Sequence, residues 1–131
     1  MFLLTLIMSF ISFKNYDGFI ESCSGWKLNR YPVVKDFIKG PHGAKNYERL
    51  KISFVPGHNP DLITTKPLKR TDLTVFQSSE ELHSLMITNG FIVKPEYLET
   101  MCLYWIQIKL CFKHKTYIEK HCRQKCSHRE L

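Results

Sequence analysis

No part of this 131-residue chain reaches the roughly 20 consecutive apolar residues that a membrane-spanning helix needs. It has no internal repeat and no low-complexity tract, so neither a solenoid nor a biased, unfolded array has to be considered. The spacing of its cysteines and histidines also lacks a pair of well-formed zinc knuckles. Cys122-x₃-Cys126 is admissible as one ligand pair, but Cys111-x₂-His114 lies only a few residues away, which crowds any second one. Disulfides or free thiols among Cys102, Cys111, Cys122 and Cys126 are therefore expected in preference to a metal site, and no cofactor is implied.

With 44% hydrophobic and 13% aromatic residues, the chain can bury one modest core, which predicts a single domain. The formal charge of +7 suggests nucleic acid as a partner, since clustered lysine and arginine neutralise phosphates. Its distribution argues against that. From Met101 to Leu131, seven basic residues face Glu119 and Glu130 and carry +5 of the total. Such a basic end is expected to be a solvated segment, not a nucleic-acid surface.

Met1 to Phe13 carries no charge and is almost wholly apolar, too short to span a bilayer. Residues 1–18 are read as a secretory signal peptide, although no basic residue precedes the apolar run and no small-x-small cleavage site stands out. The alternative is a buried element at the start of the domain. At the other end, His128-Arg129-Glu130-Leu131 looks like a variant of the C-terminal tetrapeptide by which a retrieval receptor returns proteins to the endoplasmic reticulum lumen. The two ends together predict a lumenal protein without stable membrane insertion.

Between them, periodicity predicts a mixed α/β domain. Phe19 to Ser22 is a strand candidate. Val33, Val34, Phe37 and Ile38 have the spacing of one helix face, with Pro32 in the first turn, Asn29 or a neighbour as cap, and Gly40-Pro41 as the stop. Leu50, Ile52 and Phe54 alternate with polar residues as on a half-buried strand. Pro56 to Pro60 is a turn, Leu62 to Thr65 a second strand after it, and Leu73 to Phe76 a third. Ser78-Ser79-Glu80-Glu81 is a capping box that opens a helix with Leu82, Leu85 and Met86 on its apolar face and Gly90 at its end. The first crossover makes the first strand pairing parallel, and hairpins make the later ones antiparallel. Met101 to Phe112 is an apolar stretch for which core packing is the default.

Cys23 lies at the hinge between the first strand and the first helix. Unpaired N–H groups and the helix dipole favour a thiolate there, and the thiolate is the species that exchanges with disulfides. The residues around it bear a family resemblance. Cys23-Ser24-Gly25-Trp26-Lys27-Leu28-Asn29-Arg30, Val34-Lys35-Asp36-Phe37, Pro56-Gly57-His58-Asn59-Pro60-Asp61-Leu62, and Ser79-Glu80-Glu81-Leu82 through Gly90-Phe91 stand in family order. The chain resembles the selenoprotein M and fifteen-kilodalton selenoprotein family, and more closely selenoprotein M, since the cysteine-rich N-terminal region of the fifteen-kilodalton member is absent.

The resemblance implies a thioredoxin-like fold, a mixed sheet flanked by helices over residues 19–95, with 96–131 as a basic Cys/His-rich extension. It also implies thiol-disulfide oxidoreductase activity in redox homeostasis and protein-folding quality control in the endoplasmic reticulum, on lumenal protein substrates that carry thiols or disulfides. The family pairs a cysteine with a selenocysteine at the redox motif. Trp26 stands at the selenocysteine position, either as a replacement or as a decoding of that codon, which differs from a tryptophan codon by one base. With a true tryptophan there, Cys23 is a lone thiol and activity is reduced or absent, leaving a noncatalytic binding module as the alternative. The connection from Leu62 to Leu73 also looks shorter than the family's, with Thr64 and Thr65 where apolar residues are usual.

Overall fold

The computed structural model describes residues 16–126. The apolar N-terminal run and His128-Arg129-Glu130-Leu131 lie outside the described residues.

Four strands form one mixed sheet: β1 (Gly18–Ser22), β2 (Leu50–Phe54), β3 (Asp61–Thr65) and β4 (Leu68–Asp72), in the order β2-β1-β3-β4. β1 is central. It pairs parallel with β2 and antiparallel with β3, so Ile20 lies between Ile52 and Leu62. The crossover from β1 to β2 carries α1 (Trp26–Asn29) and α2 (Pro32–Lys39). A type II turn follows β2, with Pro56 supplying its fixed φ and Gly57 the positive φ of 74° that the next position requires. It closes with the His58 N–H donating to the Val55 carbonyl at 3.1 Å.

The expected strand at Leu73–Phe76 is not there. The strand lies just before it, at Leu68–Asp72, on the exposed edge of the sheet. Its residues Leu-Lys-Arg-Thr-Asp show no apolar alternation because no core lies beneath them. Leu73 opens a 3₁₀ turn instead, fixed by the Asp72 carboxylate accepting from the N–H and hydroxyl of Thr74 at 2.9 and 2.7 Å. Nor does Asn29 cap α2. Asn29 ends α1, and Tyr31 occupies the cap position without a side-chain bond.

α3 (Ser79–Thr88) begins as expected, with Ser78 Oγ accepting from the Glu81 N–H at 3.1 Å. Glu81 reaches back one residue further than a standard box, to the Gln77 N–H at 2.8 Å. Gly90, at φ 83°, follows the helix end. The stretch from Met101 to Phe112 divides into two helices, α4 (Leu98–Gln107) and α5 (Cys111–His121), with Lys109 at φ 69° between them. Met101, Trp105, Leu110 and Ile118 from this pair join Ile20, Leu28, Phe37, Leu62 and Leu82 in one core. The basic region is thus anchored by its apolar residues and not merely solvated. Disulfides Cys102–Cys122 and Cys111–Cys126 staple it, 20 and 15 residues apart in sequence. In the chain-entropy account, loops of this size are worth about 3 kcal/mol each.

One buried polar pair crosses this core. The Tyr47 hydroxyl and His83 Nδ1 lie 2.6 Å apart, with the imidazole edge-on to Phe37 and Tyr104. Burial lowers the His83 pKa to about 4, outweighing the opposing effect of a hydrogen bond to the His42 backbone. Burial also raises the Tyr47 pKa. The phenol therefore keeps its proton and donates a hydrogen bond to Nδ1 of a neutral imidazole.

A histidine whose folded pKa is depressed contributes stability that is present above its unfolded pKa, near 6.5, and lost as pH falls toward 4. The difference corresponds to about 3 kcal/mol. Urea unfolding compared at pH 4.5 and 7 for the native chain and for His83→Gln isolates this effect from that of the carboxylates. The native chain is expected to lose more stability on acidification than the variant, and equal losses would contradict the assignment.

Candidate redox site at the end of the central strand

Because β1 is hydrogen-bonded along both sides, the residue that follows it has little freedom. The Cys23 N–H donates to the His58 carbonyl at 2.7 Å, while the Val55 N–H donates to the Ser22 carbonyl at 2.8 Å. The Ser22 hydroxyl donates to the Cys23 carbonyl at 2.8 Å. Cys23 is thereby held between its own strand and the turn after β2. It is the one free cysteine among the described residues, and it is 5% exposed. It borders a groove of about 300 Å³, walled by the loop from Cys23 to Lys27 and by the turn from Phe54 to Gly57.

The helix that follows Cys23 is a single turn. Its backbone closes through the Gly25 carbonyl, which accepts from the N–H groups of Leu28 and Asn29 at 3.0 and 3.3 Å. Trp26, its first residue, is 65% exposed and has the Arg30 guanidinium 4.8 Å from its ring centroid. The position that would carry a second redox atom thus presents a flat aromatic face at the groove's mouth. An indole cannot attack or resolve a disulfide.

Two lysines hold the groove's lips. Lys27 Nζ donates to the Gly57 carbonyl at 2.8 Å, and Lys39 Nζ, from the last turn of α2, donates to the Ser24 carbonyl at 2.6 Å. Lys39 also lies 5.8 Å from the Phe54 ring centroid. No carboxylate lines the groove. Phe54, expected on the inward face of its strand, is half exposed, because the strand runs past the core at its C-terminal end. Lys39 and Val55 carry no sequence signal of their own; only the fold brings them to Cys23. The cysteines of the C-terminal region are all in disulfides, and no cluster of three or more metal-binding side chains occurs among the described residues.

A thiol at the end of a central strand, facing the turn after the parallel neighbour in a mixed sheet flanked by helices, defines a thioredoxin-like redox domain. Comparison with known proteins narrows the class. The family model of the Sep15/SelM redox domain matches residues 18–67, from β1 into the turn between β3 and β4. A selenoprotein M of Eriocheir sinensis is 38% identical over 79 residues, covering 57% of this chain and 59% of that protein. Residues 18–67 are similar to the Sep15/SelM redox domain, and the chain is similar to a selenoprotein M. The chain thus spans 59% of the length of the curated relative it matches, and the stapled helices α4 and α5 lie beyond the family-model match.

If the groove is the route to the thiol, small alkylating reagents reach Cys23 in the native protein more slowly than in the unfolded chain. Val55→Trp, which places a larger side chain in the groove wall, is expected to slow iodoacetamide labelling of Cys23 severalfold without altering the circular dichroism. Unchanged labelling would show that reagents enter elsewhere.

Proposed function

We propose that this chain is a thiol-disulfide oxidoreductase of the endoplasmic reticulum lumen, acting on thiol- or disulfide-bearing polypeptides in redox homeostasis and protein-folding quality control. The observation that carries this reading is Cys23, a free thiol fixed at the end of β1 beside a groove, within a segment similar to the Sep15/SelM redox domain. In the reaction, the Cys23 thiolate attacks one sulfur of a substrate disulfide. A mixed disulfide forms and the other substrate sulfur leaves as a thiolate, taking its proton from water. An external thiol then attacks the Cys23 sulfur of the mixed disulfide, so that its bond to the substrate breaks and the substrate leaves fully reduced. A second external thiol attacks its own kind in the resulting adduct, the symmetrical external disulfide departs, and the Cys23 thiolate is restored.

The two disulfides of the C-terminal region support an oxidising compartment. The resemblance of His128-Arg129-Glu130-Leu131 to a retrieval signal supports the lumen and a retrieval receptor as partner. No helix among the described residues is long and apolar enough to cross a membrane.

Trp26 favours a second reading, a binding module that keeps the thioredoxin-like fold without turnover. Its exposed ring, covered by Arg30 and next to Lys27, is a surface for contact and not for exchange.

Steady-state reduction of a protein disulfide by excess glutathione separates the two. The oxidoreductase reading predicts measurable turnover by the native chain, none by Cys23→Ser, and a faster rate for Trp26→Cys, which supplies a resolving thiol. No turnover by the native chain, with restoration by Trp26→Cys, would leave the binding reading. Deleting Glu130 and Leu131 is expected to send the protein out of the cell, and unchanged retention would remove retrieval from the account.

A further inference from the structure

A second cysteine pair borders a groove of its own. About 200 Å³ in volume, this groove lies between the start of α4 and the end of α5, and the Cys102–Cys122 bridge forms part of its wall. The bridge is asymmetric: Cys102 is buried in the core, whereas Cys122 is half buried. His121 and Arg123 flank Cys122 on the groove wall, and Glu99 is the one carboxylate there. The other bridge differs. Cys111 is buried and Cys126 half buried, but neither sulfur's residue borders this groove, and the Glu119 carboxylate accepts a hydrogen bond from the Cys126 N–H at 3.2 Å. An incoming thiolate therefore meets the Arg123 guanidinium next to Cys122, with Glu99 elsewhere on the same wall, whereas at Cys126 the Glu119 carboxylate sits directly on the backbone of the cysteine.

We infer that Cys102–Cys122 is a second redox centre of this chain, a dithiol-disulfide couple that exchanges with small anionic thiols, while Cys111–Cys126 is a structural staple. The thiolate of the small thiol attacks the half-buried Cys122 Sγ. A bond forms between those two sulfurs and the bond to Cys102 breaks. Cys102 leaves as a thiolate, takes a proton from water in the groove and stays in the core as a neutral thiol, a state that apolar surroundings favour. A second small thiol then attacks its own kind in the mixed disulfide. The symmetrical small-molecule disulfide departs, and Cys122 is left reduced. The couple stores the two electrons that Cys23, without a second redox atom at position 26, cannot hold.

This inference does not depend on Cys23, and it is tested on full-length Cys23→Ser protein, folded and with both bridges formed. The protein is exposed to graded ratios of reduced to oxidised glutathione, then alkylated, and its adducts are mapped by mass spectrometry. The expected result is a range of ratios in which Cys102 and Cys122 are labelled and Cys111 and Cys126 are not, with the transient glutathione adduct on Cys122. Arg123→Glu is expected to slow opening severalfold. In a Cys111→Ser/Cys126→Ser variant, Cys102–Cys122 is expected to open over the same range. Simultaneous opening of both bridges, prior opening of Cys111–Cys126, an adduct on Cys102, or opening only in denaturant would each overturn the inference.

Discussion

The placement of β1 in the middle of the sheet is the constraint on which the rest depends. Its backbone is committed on both sides, parallel to β2 and antiparallel to β3, and the register puts Gly18, Ile20 and Ser22 on the buried face. A slip of one residue against either neighbour would exchange the faces, burying Glu21 in place of Ile20. It would also move Cys23 off the carbonyl of His58, the contact that fixes it against the turn after β2. Fold and site are thus specified by the same pairing. The residue after a doubly paired strand is among the best-held positions a chain offers, and a nucleophile gains from that, because a fixed sulfur needs little reorganisation before attack.

The second part of the molecule depends on the first through a shared core. Trp105 and Leu110 are fully buried alongside residues of the sheet and of α2, so the helices beyond the family match are integral to the packing. The two disulfides add covalent closure where the sequence is most basic and its charges repel one another. The redox groove and the stapled helices are lined by different segments of chain, which allows the thiol at Cys23 and the bridges at the C-terminal end to respond to different reagents.

Much of this was legible because local chemistry and tertiary demand agree. Leu50 to Phe54 is a strand by alternation and in fact; Ser78 and Gly90 bound a helix by capping chemistry; and Cys23 stands out by its neighbours. The reading failed where a residue's environment is set by the rest of the fold. β4 lies on an exposed edge with no apolar face to mark it, whereas the apolar residue that sequence pattern picks out there is its buried neighbour Leu73. Phe54 follows the strand's alternation but runs past the core, so the same periodicity that predicts a buried ring here yields a groove wall. Lys39 reaches Ser24 only because α2 folds back along the sheet, and the pairing of four closely spaced cysteines is decided by the packing of α5 against α4.

The central claim is that the fold presents one reactive thiol, Cys23, through one groove. Titration of the native, oxidised protein with 5,5′-dithiobis(2-nitrobenzoate), followed by peptide mapping, tests it most directly. The account predicts release of a single equivalent of thionitrobenzoate per chain, with the mixed disulfide on Cys23, the one free cysteine among the described residues. Release only after unfolding would contradict it, since the thiol would then be a core residue closed to disulfides.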